Sequence, residues 1–338
     1  MNKDRIFAAA FVVLVSTAII GFSAGDTGAS FTGSSTNPNQ SWATSTVAAP
    51  ASVTPASAIA GAVNLSWPAT TTPPNGHTVT YLVFRGGTQI GTTSGLTYSD
   101  TPAADGMYSY TIQTKIAQGA GFFTSPNSPT GSGLSDRTAP TMSATCNGIS
   151  CAGWFNGNVT FVVSGNDGTG VGMGTATTNV DGAGAVTSAA PRTITVSGQS
   201  ALAGHTVVYS GADALGNASG NTTANVKIDT KAPVAASGII DNGTAQNNGE
   251  IGLGWTVGSD ALSGVLSQTL RRSNILTSAC PAVSTANFPN VVAGVTATAN
   301  SVIVTGLTSG ASYCFYIVTT DKAGNASNSA ASAIFGAK

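Results

Sequence analysis

Charge is what this sequence lacks most. Only 7% of its 338 residues are Asp, Glu, Lys or Arg, against about 25% in an average soluble protein. Glutamate occurs once, as Glu250, and histidine twice, as His77 and His205. Each shortage excludes something. Exposed helix faces draw on Glu, Lys, Arg and Leu, so a helical protein is disfavoured. Twelve basic residues scattered over a chain of net charge −1 cannot build the basic face that displaces counterions from phosphates, so no nucleic-acid partner is expected. The four cysteines lack the Cys-x-x-Cys type of spacing that zinc requires.

Gly, Ser, Thr, Ala and Asn stand where the charge would be. Thr and Val suit strands, and Gly and Asn suit turns. Hydrophobic residues at 41% are enough for real cores. The length fits two or three domains, since a β-sandwich takes about 100 residues.

At the start, Lys3 and Arg5 precede an uncharged apolar run, Ile6–Phe22, and small residues follow at Ser23, Ala24 and Gly25. That is the order of a secretory signal. The run of 17 residues falls short of the roughly 20 that a stable membrane span needs. Residues 1–24 therefore read as a signal peptide cleaved near Ser23–Gly25, with an uncleaved membrane anchor as the second choice. Membrane contact would come only through that segment. An even cysteine count fits an oxidising compartment, so a secreted or cell-surface, extracytoplasmic location is expected. Of the three possible pairings, Cys146–Cys151 with Cys280–Cys314 keeps each bridge inside one module.

Internal repeats set the modules. Asp136-Arg-Thr-Ala-Pro140 returns as Asp229-Thr-Lys-Ala-Pro233, 93 positions on. Proline cannot extend a strand ladder and holds the residue before it extended, so each copy marks a boundary. Asp213-Ala-Leu-Gly-Asn217 returns as Asp321-Lys-Ala-Gly-Asn325, and Asp167-Gly-Thr-Gly-Val171 pairs with Asp260-Ala-Leu-Ser-Gly-Val265. A Ser/Thr/Asn-rich leader, 25–48, with a possible strand near Trp42–Val47, precedes modules at 49–135, 136–231 and 232–338. Tyr108, Tyr110 and Ile112 alternate with Ser109, Thr111 and Gln113, which is the period of a half-buried strand. Further strands are expected at 62–67, 79–85, 159–163, 193–196, 206–209, 251–255, 302–307 and 313–318. The fold class is all-β, three consecutive immunoglobulin-like sandwiches.

Modules one and three resemble fibronectin type III domains. In module one the pattern is Trp67, then Tyr81-x-Val83-x-Arg85, Leu96-Thr-Tyr98-Ser-Asp100 and Tyr108-x-Tyr110-x-Ile112. In module three it is Trp255, then Val304-Thr-Gly-Leu307 and Tyr313-Cys-Phe315-Tyr-Ile317. The resemblance implies that Leu307 and Tyr313 pack at one corner of the sandwich. Module two resembles a bacterial Ig-like repeat, through Gly153-Trp-Phe-Asn156, Gly204-His-Thr-Val-Val-Tyr209 and Asp213-x-x-Gly-Asn217. Gly28-Ala-Ser-Phe31, Asn37–Asn39 and Trp42 look like the mature N-terminus of camelysin-type secreted proteins. These resemblances imply a fold and leave the ligand open, because such modules serve as spacers, adhesins and accessories to polysaccharide enzymes alike.

The candidate chemistry is sparse. His77 and His205 fall in different modules, with no Ser or Cys nucleophile placed beside either by a motif, so no catalytic residue and no enzyme are expected. Asp167, Asp213, Asp260 and Asp321 stand at strand ends before Gly-rich turns. There they either accept bonds from turn amides or, with Asp167 meeting Asp213 and Asp260 meeting Asp321, contribute to calcium sites. Two carboxylates are few for an ion that takes about six to eight oxygens. Turn capping is thus the expectation, and no cofactor is needed. The adjacent aromatics Trp154 with Phe155 and Phe122 with Phe123 could bind sugar rings, although one of two neighbours in a strand usually faces the core. Alternation also turns Cys314 outward if Tyr313, Phe315 and Ile317 face inward. Its bridge then staples a loop to the outer face of the sheet. The expected function is a non-enzymatic surface or matrix protein acting in adhesion, spacing or assembly. Its partner would be a cell-surface protein or a polysaccharide. The alternative is a polysaccharide-binding accessory of a carbohydrate-degrading system.

Overall fold

The computed structural model describes residues 46–70, 78–118 and 121–338. The signal or anchor segment, most of the leader with Trp42, and His77 lie outside the described residues. Thr46 and Val47 are described and are not in a strand. No described helix is long and apolar enough to cross a membrane. The chain divides into two compact units that meet in sequence between Thr138 and Ala139.

The first unit holds module one. Its strands are β1 (Thr54–Ser57), β2 (Val63–Ser66), β3 (Val79–Arg85), β4 (Thr88–Thr93), β5 (Thr97–Asp100), β6 (Gly106–Gln118), β7 (Gly121–Thr124) and β8 (Gly131–Ser135). One sheet runs β1-β2-β5. The other runs β4-β3-β6, with β7 and β8 on the far side of β6. Between the sheets lie Val63, Leu65, Trp67, Tyr81, Val83, Tyr110 and Ile112. The alternation of β6 holds, with Tyr110 and Ile112 fully buried. Buried charge is satisfied: Arg85 donates to both Asp100 oxygens at 2.9 and 3.0 Å, and the Tyr110 hydroxyl donates to Asp100 Oδ2 at 2.8 Å. Burial, with the Asp100 bond, pushes the Tyr110 hydroxyl well above its usual pKa.

The second unit holds two sandwiches. Module two comprises β9 (Thr141–Cys146), β10 (Trp154–Phe155), β11 (Val159–Asn166), β12 (Met173–Val180), β13 (Val186–Ala189), β14 (Arg192–Val196), β15 (His205–Asp213) and β16 (Thr222–Ile228). Its sheets run β14-β11-β9 and β10-β16-β15-β12-β13. The short β10 pairs parallel to the last strand, Trp154 against Lys227 and Phe155 against Ile228. That parallel strand is an Ig-like trait which modules one and three lack among the described residues. The core centres on Val159, Phe161, Val163, Val207, Val226 and Ile228.

Module three comprises β17 (Ser237–Asp241), β18 (Ile251–Thr256), β19 (Val265–Arg272), β20 (Asn290–Val291), β21 (Ser301–Val304), β22 (Ser312–Tyr313), β23 (Phe315–Asp321), β24 (Ala326–Asn328) and β25 (Phe335–Gly336). Its sheets run β17-β18-β21 and β20-β19-β23-β24, with β22 paired to β25. Module one likewise sets three strands against a larger sheet, in which β7 and β8 both pair with β6, and both modules have the order of a fibronectin type III-like sandwich. Leu307 and Tyr313 share the core, and the Tyr313 hydroxyl accepts the Thr308 N–H at 3.0 Å, which fixes the corner.

Serine does structural work that composition alone does not show. Ser125 and Ser128 Oγ accept the N–H groups of Thr114 and Ile112 and donate to the next carbonyls, of Pro126 and Pro129. Ser329 and Ser332 repeat the device in module three, accepting from Ile317 and Phe315 and donating to Ala330 and Ala333. A Ser-x-x-Ser spacing therefore supplies ladder partners where the last strand turns away from its neighbour. Four buried amides would otherwise lack acceptors.

The disulfides join Cys146 to Cys151 and Cys280 to Cys314. As alternation requires, Tyr313, Phe315 and Ile317 lie in the inter-sheet core, while Cys314 lies on the opposite face. There it forms a second small cluster with Phe288 and Tyr316, whose rings meet edge to face at 4.9 Å. Val283 and Phe288, from the segment between the bridged cysteines, pack on this outer face.

Candidate functional site

The repeated Asp residues are turn caps, and two of them are built alike. Asp213 Oδ1 accepts the N–H groups of Leu215, Gly216 and Asn217, and its Oδ2 accepts from the Asn217 side chain. Asp321 Oδ1 accepts the N–H groups of Ala323, Gly324 and Asn325, and its Oδ2 accepts from the Asn325 side chain. Gly216 and Gly324 have φ of 97° and 96°, a left-handed conformation that side chains resist. Asp, Gly and Asn in Asp-x-x-Gly-Asn thus each have a physical reason. Asp260 Oδ1 accepts from Leu262, Ser263 and Gly264. Asp167 Oδ2 accepts from Gly172, and its Oδ1 is buried without a hydrogen-bond partner.

The structure also brings these carboxylates together. Asp167 and Asp213 each place an oxygen within 4.8 Å of the other. Asp260 and Asp321 meet likewise, and a third member joins them: Asp229, which opens the second Asp-x-x-Ala-Pro linker. Asp229 and Asp321 are fully buried. Asp229 Oδ1 accepts from Gln199 of module two at 2.9 Å, and its Oδ2 accepts the Ser263 N–H of module three at 3.2 Å. Its carbonyl accepts the Asn325 side chain at 2.8 Å. Burial pushes the Asp229 carboxyl up. The bonds from Gln199, Ser263 and Lys231 outweigh it and hold the group below the usual carboxylate range.

Among the described residues, these three are one set that could hold a divalent cation. Five of their six oxygens, all but Asp260 Oδ2, already accept protein hydrogen bonds. The bonds account for the side chains as turn and junction caps. Chelation by EDTA is accordingly expected to leave the melting temperature unchanged. A rise of several degrees on adding calcium would instead give the ion a role.

His205 opens β15. Its Nδ1 lies 2.7 Å from Asp181 Oδ2 and its Nε2 lies 3.2 Å from the Gly198 carbonyl. Both partners are acceptors, so the site favours the imidazolium form, in which both ring nitrogens donate. The Asp181 bond, reinforced by the Gly198 carbonyl against partial burial, raises its pKa from the usual 6.5, and the Asp181 carboxyl is lowered in turn by the same bond. The His205 share of stability is therefore full below the ordinary histidine range and is lost as pH rises through the raised pKa. The Asp181 share is lost as pH falls through the lowered one. The Asp181 side chain is 49% exposed, so the pair contributes no more than about 0.2–1 kcal/mol. In an NMR titration His205 should titrate above 6.5, and Asp181→Asn should bring it back toward that value.

The two aromatic pairs part company. Phe155 packs against the module-two core, while Trp154 is half-buried, with the Lys227 ammonium 5.7 Å from its ring centroid. Phe122 and Phe123 on β7 are 53% and 59% exposed, and Lys115 sits 4.3 Å over Phe122. Only this second pair presents broad open rings. Beside Trp154, an open cleft of about 400 Å³ is lined by Ala144, Ser150, Cys151, Ala152, Tyr209, Ala224, Asn225 and Lys227.

No family model matches the chain, and no curated protein matches it. Solved structures do. The crystal structure of chicken CNTN1 FN1-FN3 domains is 14% identical, with 87% of this chain and 100% of that one covered and a TM-score of 0.37. Domains A168-A170 from titin are 14% identical, covering 83% and 94%, with a TM-score of 0.41. The fibronectin(III)-like modules of Clostridium thermocellum CbhA are 18% identical, covering 54% and 94%, with a TM-score of 0.28. Strand order, rather than these likenesses, carries the fold assignment. The chain is a tandem of fibronectin type III-like and Ig-like sandwiches.

Sequence reasoning missed Asp229, Tyr209 and Lys227. A signal for Asp229 was present: both linkers open with Asp, and Asp136 Oδ1 accepts the Thr138 N–H as Asp229 Oδ1 accepts the Lys231 N–H. Reading the linker through its proline alone hid that. Tyr209 and Lys227 carry no local signal. They share a cleft only because β15 and β16 are neighbours in one sheet.

Proposed function

We propose that this chain is a non-enzymatic, extracytoplasmic protein whose modules space and present surfaces outside the cell, in adhesion or assembly. The observation that carries the reading is the junction between modules two and three. A flexible linker would leave its residues solvated. Here Asp229 is fully buried and takes hydrogen bonds from Gln199 on one side and from Ser263 and Asn325 on the other. A junction tied through one carboxylate and one carbonyl resists bending, which suits a spacer more than a pair of independently moving binding heads. The two module-local disulfides support an oxidising location.

The test is Asp229→Ala. It strips the acceptor from Gln199 Nε2, the Ser263 N–H and the Lys231 N–H. Of the three, the Ser263 N–H belongs to a buried residue, and leaving it unpaired costs about 1–3 kcal/mol. Limited proteolysis is expected to nick the variant between 229 and 236 at least tenfold faster than the parent, with both sandwiches surviving as fragments. Equal nicking rates would remove the stiff-junction basis of the reading.

A further inference from the structure

We propose that module two binds an anionic polysaccharide, a chain bearing uronate carboxylates, in the cleft between β9 and β16. The site goes beyond the spacer reading and does not depend on it.

The cleft exists because small side chains face each other across the sandwich opening. Ala144 on β9 and Ala224 on β16 both line it, with Ala152 from the bridged turn. β10 covers β16 only at Lys227 and Ile228, so the strand upstream is open on that side. The resulting volume of about 400 Å³ is within the ~300–1,000 Å³ of small-ligand sites.

Its polar groups point to the ligand. Tyr209 is only 7% exposed and lines the cleft, yet its hydroxyl has no protein partner among the described residues. The ring is in the core while the hydroxyl opens onto the cleft, where it can donate to a ligand in place of water. Lys227 supplies a cation with no carboxylate in ion-pair range among the described residues. The Trp154 ring holds that ammonium at the rim. Asn225 contributes an amide with no protein hydrogen bond, and the Ser150 Oγ, which accepts the Ala152 N–H, keeps its own proton free to donate. One cation and a phenolic donor match a carboxylate. An amide and a hydroxyl, each able to donate and accept, match the neighbouring sugar hydroxyls. The open side of the cleft lets a polymer pass through rather than end there.

Calorimetry of the full chain with an oligogalacturonate, a neutral oligogalactose of equal length and a poly-glutamate peptide tests this. The oligogalacturonate is expected to bind with millimolar or tighter affinity, weakening as salt rises, and the neutral oligomer at least tenfold more weakly. Lys227→Met should weaken uronate binding at least tenfold. Tyr209→Phe, which keeps the ring in the core, should weaken it severalfold. Lys322→Met in module three should change nothing, and all three variants should keep the parent melting temperature within a few degrees. Absence of saturable uronate binding, equal affinity for the neutral oligomer, preference for the peptide, or full affinity in a folded Lys227→Met variant would each overturn the proposal.

Discussion

Replacing Cys280 and Cys314 together by alanine is expected to destabilise module three by about 2–4 kcal/mol. In a unit of this size that lowers the melting temperature by roughly 5–15 °C. The bridge closes a sequence separation of 34 residues. The enclosed segment contains three short strands, β20, β21 and β22, joined by long irregular stretches. It is held to the outer face by the cluster of Phe288, Cys314 and Tyr316 with Leu276, Cys280 and Val283. Without the bridge, the unfolded chain gains loop freedom and the cluster loses its anchor. Removing Cys146 and Cys151 opens a separation of only 5, so the chain-entropy argument gives a smaller loss. Differential scanning calorimetry of the two double variants decides the matter. Equal losses would mean that loop length is not what sets the effect.

Asp321→Ala is expected to cost about 2–4 kcal/mol, since hydrogen bonds to a buried charge are worth roughly 1.5–3 kcal/mol each and are not additive. The side chain is fully buried and accepts three backbone N–H groups and one side-chain amide. Alanine takes the carboxylate acceptor from all four donors; Gly324 N–H keeps the Asp321 backbone carbonyl and the Asn325 side chain keeps the Asp229 carbonyl, while the Ala323 and Asn325 N–H groups lose theirs. Loss of one carboxylate from a group of three relieves some like-charge repulsion, and the estimate sits below the full sum for that reason. Asp321→Asn keeps an oxygen for the backbone amides and should cost less than half as much. Chemical denaturation followed through the Trp255 fluorescence reports on module three. If Ala and Asn lose the same amount, repulsion or a bound cation, rather than turn capping, governs the site.

Some strands were legible and others were not, for a reason visible in their residues. β6, β11 and β18 carry large apolar side chains at alternate positions, and burial follows that alternation at Tyr110 and Ile112, at Val159, Phe161 and Val163, and at Ile251, Leu253 and Trp255. β8 (GSGLS), β12 (MGTATTNV) and β13 (VTSA) carry almost none. Every residue of β13 is exposed, and it is a strand because β12 pairs with it. Such an edge owes its conformation to a neighbour distant in sequence, which local composition cannot report. The turns lay at the other extreme. Asp-x-x-Gly-Asn specifies its own hydrogen bonds within five residues, so its two copies could be read as caps before any contact was known.

The sequence by itself determined the all-β class, the repeated caps, and the outward side of Cys314. All three rest on forces within a strand or a turn: the two-residue alternation, the left-handed glycine, and a carboxylate beside free amides. The tertiary structure alone decided that Asp229 lies against Asp260 and Asp321, and that Tyr209, Asn225 and Lys227 line one cleft. Those meetings come from the order of strands in sheets and the packing of one sandwich on the next. The overall scarcity of charge takes its meaning there. Several of its few charges stand at turn caps, at a buried junction and at the rim of a cleft, among them Asp213, Asp229, Asp321 and Lys227.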